Sequence, residues 1–145
     1  MKIKIASILI ALFTVGAMTA VVAPTAAYAS TCYGSGCTGQ DPNAQGCSSG
    51  AGTIDSATAP GGIPTVELRL GYGCGAAWAR GNHYWANVLI EGSPDASTVT
   101  VRYGVVYSCQ FGCDYTYTDM IDFGLYVRAC VQAFASDQWA CTSWH

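Results

Sequence analysis

Eight cysteines constrain the fold of this 145-residue chain more than any other feature of its sequence. All eight follow residue 31, and three of them fall within a glycine-rich stretch at residues 31–52. An even number of cysteines in a small exported chain is typical of disulfide bonds, because thiols oxidise outside the cytosol. The sequence therefore predicts disulfides, but it does not choose their pairing. The cysteines concerned are Cys32, Cys37, Cys47, Cys74, Cys109, Cys113, Cys130 and Cys141.

A metal site is the alternative use of these cysteines. Structural zinc sites favour Cys-x-x-Cys pairs or histidine partners. Cys32 with Cys37 and Cys109 with Cys113 match that spacing poorly, and the chain has only two histidines. We therefore predict no metal site and no cofactor.

The first 29 residues have the organisation of a secretory signal peptide. Lys2 and Lys4 form a basic start, a long apolar run follows, and Ala27-Tyr28-Ala29 supplies the small-x-small site that signal peptidase needs. An uncleaved membrane anchor is the rival interpretation, since the apolar run is near spanning length. The flexible stretch at Pro24–Ala27 and the cleavage site favour removal. We predict a signal peptide at residues 1–29 and a single extracellular domain at residues 30–145.

Charge excludes two classes of partner. Removal of Lys2 and Lys4 would leave four arginines against nine acidic residues, and those arginines are not clustered in the sequence. Nucleic acids and anionic membranes are bound by clustered basic residues. We therefore expect neither nucleic acid nor a membrane as a partner once the signal peptide is cleaved.

Alternation of apolar and polar residues predicts β-structure along the rest of the chain. Over Thr65–Leu70, apolar side chains occupy every second position, which is the period of a half-buried strand. Leu125–Phe134 alternates in the same way; a helix is the alternative there, but the β-branched residues favour a strand. Seven such segments predict an all-β fold, a small disulfide-stapled sandwich or barrel with a cystine-rich N-terminal loop. The others begin at Thr53 and cover Cys74–Arg80, Tyr84–Ile90, Ser97–Tyr107 and Tyr115–Asp122.

Two patterns suggest catalysis, and neither is sufficient. Gly46-Cys47-Ser48-Ser49-Gly50 matches the Gly-x-Ser-x-Gly motif of serine hydrolases, which requires a strained strand-to-helix turn and a histidine base. It lies here in a cysteine-rich loop, with His83 as the only internal base. Asp114, Asp119 and Asp122 offer paired carboxylates for glycoside cleavage, but scattered acidic residues are expected on an acidic surface. We predict no catalytic residues and a protein that is not an enzyme.

The cysteine-rich loop is the predicted contact surface. Loops carry binding on rigid β-frameworks, and this loop holds few apolar side chains beyond Tyr33 and Ala44. Cross-linking also limits the entropy lost when a partner docks. Asp41 is more easily explained by a turn with Pro42 than by a calcium site, because the loop offers no second carboxylate before Asp55. A turn without any contact to a partner is the alternative to the binding role of Asp41. The predicted binding residues are Tyr33, Gln40, Asp41 and Asn43, with Arg69 and Arg80 as nearby polar candidates.

A charged patch is predicted beside that loop. Glu67 and Arg69 lie on the same face of a predicted strand, and Arg80 lies on the next strand. A cross-strand ion pair of this kind contributes little in water. A structural role is therefore the default, and contact with a partner is the alternative.

Aromatic side chains give a second candidate surface. They are numerous for one small core, and exposed aromatic rings suit a sugar or a protein interface. Cell-wall glycan is therefore the alternative partner. The residues concerned are Tyr84, Trp85, Tyr115, Tyr117, Trp139 and Trp144.

Six short motifs carry a resemblance to a known family. They are Gly36-Cys37-x-Gly39-x-Asp41-Pro42, Gly46-Cys47, Glu67-Leu68-Arg69, Trp78-Ala79-Arg80, Tyr117-Thr118-x-Met120 and Arg128-Ala129-Cys130. In this order they resemble a family of small secreted proteins of Gram-positive bacteria, chiefly actinomycetes, catalogued as a domain of unknown function (DUF2690, the YjfA-like proteins). The resemblance covers most of residues 30–145. It implies an extracellular protein and brings no catalytic residues to carry over.

The sequence thus predicts a secreted, non-enzymatic interaction module, a subunit or adaptor of an extracellular assembly. Its expected partner is another secreted or cell-surface protein. A module that binds cell-wall glycan is the alternative, and a hydrolase or hydrolase inhibitor is a third hypothesis.

Overall fold

Antiparallel strands make up the regular structure of the chain. A computed structural model describes residues 29–108, 115–134 and 136–145, without the side chains of residues 106–108. The predicted all-β class is confirmed: nine strands and a single-turn 3₁₀ helix at Gly34–Cys37 are the regular elements of these residues. No helix within these ranges is long and apolar enough to cross a membrane. The strands are β1 (Gly52–Thr58), β2 (Thr65–Gly71), β3 (Ala76–Gly81), β4 (Val88–Ser93), β5 (Val101–Ser108), β6 (Thr116–Thr118), β7 (Ile121–Asp122), β8 (Tyr126–Gln132) and β9 (Trp139–Cys141).

The strands form one nearly closed, barrel-like sheet. Its order is β1-β2-β3-β6-β5-β4-β8-β9, and β7 pairs with β3 at the opposite end from β6. Side chains, not a ladder, connect the two end strands of this order. Asp55 Oδ2 on β1 accepts a hydrogen bond from the backbone N–H of Ser143 at 3.1 Å and lies 2.9 Å from His145 Nε2. Ser143 and His145 belong to the C-terminal segment that follows β9, and we call this contact between that segment and β1 the seam.

Alternating side chains fill the interior of the barrel. On β2, Val66 and Leu68 are fully buried and join a core that β8 completes with Val127, Ala129 and Val131. The residues between them on each strand point to the outer faces, as the period of a strand requires. Burial of these apolar side chains is the main stabilising term of such a fold. The strand predicted within Leu125–Phe134 is therefore confirmed as β8.

Several predicted strands have other bounds in the structure: Tyr115–Asp122 is divided into β6 and β7, and the strand expected from Ser97 begins only at Val101. Tyr84–Ile90 was expected to be one strand, but β4 begins only at Val88, because residues 82–87 turn and Ala86 N–H donates to His83 O at 3.0 Å. Strand β9 has only three residues, and its sequence shows no alternation long enough to predict it. Each error concerns a short segment whose structure depends on its neighbours.

Three disulfides pair the cysteines of the described residues. They are Cys32–Cys37, Cys47–Cys74 and Cys130–Cys141. No cysteine in these ranges is free, so the prediction of disulfides is confirmed there. Cys109 and Cys113 lie outside the described residues, as does the predicted signal peptide except for Ala29.

Candidate functional site

The N-terminal loop, residues 32–50, packs onto the outer face of β2, β3 and β6. Its Cys37 and Cys47 are almost fully buried with Cys74 against Trp78 and Met120. The expectation that this loop has little to bury is therefore wrong. Oxidised cysteines are apolar, so two disulfides supply the buried surface that aliphatic side chains supply elsewhere.

Backbone hydrogen bonds fix the loop along its length. Gly34 N–H donates to Cys74 O at 2.7 Å. Gly39 N–H donates to Met120 O at 2.9 Å, and Met120 N–H donates to Gln40 O at 3.0 Å. Gly39 has φ +75°, and a Cβ there would approach the Tyr103 hydroxyl to 3.0 Å. Only glycine fits this close approach without strain. The loop is thus a rigid part of the surface.

Asp41 forms a turn and also holds a tyrosine. Its Oδ1 accepts hydrogen bonds from the backbone N–H of Asn43 at 2.7 Å and of Ala44 at 3.1 Å. Its Oδ2 accepts a hydrogen bond from the Tyr117 hydroxyl at 3.1 Å. The first pair is the turn geometry that the sequence favours for Asp41. The second contact orients the Tyr117 ring beside the loop.

A small cleft lies between this loop and the outer face of the sheet. Its volume is about 90 Å³. Three of the residues predicted to bind, Asn43, Arg69 and Arg80, meet in it. We call it the arginine cleft. Its lining consists of Asn43, Ser48, Arg69, Trp78, Arg80, Tyr115 and Tyr117.

One carboxylate holds the two arginines of the cleft. Glu67 lies directly opposite Arg80 in the pairing of β2 with β3, and Arg80 Nε donates to Glu67 Oε2 at 2.9 Å. Arg69 Nη1 lies 3.6 Å from the same oxygen. The predicted arrangement of these three residues on one face is confirmed. Two guanidinium groups face one carboxylate here, so the cluster keeps one unbalanced positive charge.

Arg69 and Arg80 differ in what else they contact. Arg69 is only 14 % exposed, and it donates to Thr53 Oγ1 at 2.6 Å and to Ala51 O at 2.8 Å. Burial, with the charge of Arg80, holds the pKa of Arg69 below its usual value. Arg69 Nε is buried without a hydrogen-bond partner in the described part of the chain. Arg80 is 39 % exposed, so it is the cation that a ligand can reach.

The remaining predicted binding residues lie on the loop but outside the lining of the cleft. Tyr33 is exposed, and its ring lies against Gly75 at the opposite end of β3 from Arg80. Gln40 is exposed, and its Oε1 lies 3.4 Å from Gln45 Nε2. The structure therefore separates Tyr33 from the arginines, and Asn43 is the predicted binding residue of the loop that lines the cleft, next to Ser48.

The geometry around Ser48 does not match that of a nucleophilic serine. Ser48 N–H donates to Pro42 O at 3.2 Å within a turn, and the next regular element is strand β1, not a helix. His83 stacks on Trp85, with 4.9 Å between ring centroids, and His145 contacts Asp55. The strained turn and the oriented base of a hydrolase are not assembled among the described residues.

The aspartates considered for glycoside cleavage have different surroundings. Burial and the nearby charge of Asp41 raise the pKa of Asp119. Asp122 Oδ1 accepts a hydrogen bond from the backbone N–H of Gly124 at 2.9 Å, a local turn contact. Asp114 lies outside the described residues. These contacts give Asp122 a structural role.

Sequence reasoning did not place the other lining residues in the cleft. Ser48 was considered only as a nucleophile, and Trp78 only as part of a family motif. Tyr115 and Tyr117 were considered as a sugar surface, but Tyr117 is 5 % exposed and pairs with Arg80 across β3 and β6. A pairing between strands this far apart in sequence leaves no local signal that could have revealed the cleft.

A comparison with protein-family models places most of the chain in a family. A family model described as "Protein of unknown function (DUF2690)" matches residues 35–130. This span runs from the N-terminal loop to Cys130 in β8, and it confirms the resemblance carried by the six motifs. No curated protein and no solved structure matches the chain.

Proposed function

Since the chain belongs to the DUF2690 family, whose function is unknown, we propose a function from the site itself. The protein is a non-enzymatic, extracellular interaction module that captures a partner polypeptide at the arginine cleft and the loop beside it. The partner presents a carboxylate to the cleft, either an acidic side chain or a chain terminus.

The composition of the cleft is the observation that carries this proposal. Arg80 is an exposed cation at a small concavity that also contains the amide of Asn43 and the hydroxyl of Ser48. A guanidinium binds a carboxylate through two parallel N–H bonds, with more strength and direction than neutral pairs have. The volume of about 90 Å³ suits a single small group more than a large ligand.

Rigidity of the loop supports binding by a preformed surface. Two disulfides and the Asp41 turn hold the residues around Asn43 before any partner arrives. A surface that is already ordered loses less conformational entropy on binding. The loop therefore contributes to affinity through its cross-links as well as its contacts.

An extracellular location is supported by two features. Disulfides form and persist in oxidising compartments, and the cysteines of the described residues are paired. Residues 1–29 have the composition of a secretory signal peptide. Intact mass of the exported protein tests this location, with an expected first residue of Ser30.

The proposal is tested by affinity capture from culture medium with immobilised residues 30–145. Arg80→Gln and Asn43→Ala should each reduce capture of the same polypeptide, the first by at least about tenfold because the charged pair is lost. An excess of a short acidic peptide should release that polypeptide. Arg102→Gln, the same change on another face, is the matched control and should capture as the unchanged protein does.

Thermal unfolding separates binding from stability. Arg80 and Glu67 are both partly exposed, so their pair is worth about 0–1 kcal/mol, and Arg80→Gln should melt close to the unchanged protein. Equal capture by Arg80→Gln and the unchanged protein would overturn the proposal. Retention on insoluble cell wall without any captured polypeptide would also overturn it.

A further inference from the structure

A second charged cluster lies on the outer face of β5, β4, β8 and β9. Glu91 in β4 is directly opposite Arg102 of β5 on one side and Arg128 of β8 on the other. The three side chains thus form a row across three neighbouring strands. We call this surface the open face, since the N-terminal loop packs on β2, β3 and β6 instead.

The carboxylate of this cluster is the buried member. Glu91 is 3 % exposed; its Oε1 accepts a hydrogen bond from Arg102 Nη2, and its Oε2 accepts one from Arg128 Nε at 2.7 Å. The arginine side chains are 60 % and 31 % exposed for Arg102 and Arg128, respectively. Glu91 therefore fixes two guanidinium groups at the surface, and one positive charge remains unbalanced. A guanidinium has five donors, so Arg102 keeps donors for a ligand after it binds Glu91.

A cavity of about 380 Å³ lies on this face, and its lining combines Glu91 and the two arginines with apolar groups. Leu89 and the Cys130–Cys141 disulfide line it together with Trp139, whose side chain is 39 % exposed. Leu89 lies opposite Gly104, where a Cβ would meet nothing within 4 Å. The face is therefore open above Leu89, and the volume falls within the range of small-molecule sites, about 300–1,000 Å³.

Amide side chains extend this surface beyond Trp139. Trp139 lies opposite Gln132 in the pairing of β8 with β9. Asn87 Nδ2 donates to Gln132 Oε1 at 2.6 Å, so the two amides are held together. In this order the open face presents cations, an aromatic ring and hydrogen-bonding amides.

We propose that this cavity binds a saccharide that carries a carboxylate, of the uronic acid class. The carboxylate pairs with Arg102, the C–H face of the sugar ring packs on Trp139, and hydroxyl groups reach the amides beyond it. Arginine recognises planar carboxylates by two parallel bonds, and tryptophan offers a flat apolar surface with a polar edge. No covalent step is involved.

Main-chain geometry favours a saccharide over an extended peptide at this position. Strands β4 and β8 are interior strands, and the ladders on both of their sides use their backbone groups. A peptide that adds a strand needs a free edge. A ligand above this face is therefore bound by side chains alone, which suits a molecule with hydroxyl groups of its own.

The test is titration of the isotopically labelled protein, residues 30–145, with digalacturonate, followed by backbone and indole NMR shifts. Gly104, Leu89 and the Trp139 indole should shift together. The fully methyl-esterified disaccharide should bind at least about tenfold more weakly, because the ionised pair is lost. Trp139→Ala should weaken digalacturonate binding by a similar factor, whereas Tyr126→Ala, an exposed aromatic on the same sheet, should not.

Arg102→Lys provides a variant that keeps a positive charge beside the buried Glu91. It should fold normally and bind digalacturonate several-fold more weakly, since the two parallel bonds are lost. If acetate binds with the same affinity as digalacturonate, the cavity is a simple anion site and the proposal is overturned. Tighter binding of benzoate, unchanged affinity in Arg102→Lys, or no shifts at all would overturn it too. None of these outcomes depends on the arginine cleft.

Discussion

Two regions of the outer surface of the barrel, the loop-covered face and the open face, each carry a cluster of one glutamate and two arginines. The two clusters differ in which member is buried. Glu67 and Glu91 are the only glutamates of the chain, and each holds two arginines. In the first cluster the buried member is a cation, Arg69, and the carboxylate is 32 % exposed. In the second the buried member is the carboxylate, and both arginines reach solvent.

The covering of each face explains this difference. The N-terminal loop and β1 cover Arg69, and the backbone oxygen of Ala51 and the hydroxyl of Thr53 replace its water. On the open face, the arginines themselves cover Glu91. One glutamate and two arginines therefore anchor the loop on the loop-covered face, and the same combination presents two cations to solvent on the open face. Burial, more than composition, decides which charge a ligand can reach.

Removal of both arginines of the open face should have the largest effect. Arg102→Gln with Arg128→Gln leaves Glu91 buried without a cation, at a cost of about 3–5 kcal/mol in the free energy of unfolding. Denaturant unfolding measures this loss. Addition of Glu91→Gln should restore most of it, because a neutral amide needs no counter-charge. A loss below about 1 kcal/mol in the double variant would show that water already reaches Glu91.

Removal of disulfides should affect the loop-covered face more than the open face. Cys47–Cys74 closes 27 residues and is buried, whereas Cys130–Cys141 closes 11 residues and has one exposed end. The chain-entropy model gives about 3.5 and about 2.8 kcal/mol, respectively. Alanine pairs at each bridge, compared by thermal unfolding, should show the larger loss for Cys47 and Cys74. The reverse order would mean that the loop is not part of the cooperative fold.

Within the loop-covered face, the two arginines should differ in their effect on stability. Arg69→Gln removes hydrogen bonds to Thr53 and Ala51 and should cost about 1–3 kcal/mol. Arg80→Gln breaks an exposed pair and should cost less than about 1 kcal/mol. Denaturant midpoints of the two variants measure this difference. If the two variants lose the same free energy of unfolding, Arg69 is not the anchoring arginine and Arg80 the ligand-facing one.

The smallest expected effect is at the seam, where Asp55 of β1 meets the C-terminal segment. A hydrogen bond from His145 holds the pKa of the Asp55 carboxyl below its usual value, and hydrogen bonds from the backbone N–H groups of Ser56 and Ser143 lower it further. The folded protein therefore binds fewer protons here than the unfolded chain does. This contribution is present above about pH 4 and is lost as the pH falls through the folded pKa.

Unfolding measured from pH 6 to pH 2 tests the seam. Asp55→Asn should remove this part of the acid sensitivity and leave the rest unchanged. If the variant and the unchanged protein lose stability in parallel, Asp55 does not contribute to the pH dependence.

Local patterns in the sequence predicted the β-fold well. Alternation at Val66 and Leu68 identified β2, and the β-branched residues of Val127 and Val131 favoured a strand over a helix. Both signals lie within a few consecutive residues, and burial of one strand face enforces them. Glu67 and Arg80 were also placed correctly, because β2 and β3 are neighbours joined by a short turn.

The charged cluster of the open face and the lining of the arginine cleft could not be predicted, because both depend on pairing between strands that are distant in sequence. Glu91 meets Arg102 and Arg128 only because β4 lies between β5 and β8, and no local pattern states that order. Tyr117 reaches the arginine cleft for the same kind of reason, through the pairing of β6 with β3. The buried role of Cys37 and Cys47 was missed because cysteine was considered as a cross-link and not as apolar volume.

The seam also bears on contact between copies of this protein, because it lies where the sheet ends. Strands β1 and β9 end the sheet, and unpaired edges are templates for association between chains. Here β9 is only three residues long, and the pairing of β1 shifts register between Thr53 and Asp55, both of which discourage edge-to-edge pairing. The contact of Asp55 with His145 completes this protection by holding the two edges against each other. We expect a variant that separates the two edges to expose both of them at once and therefore to associate with other copies more readily.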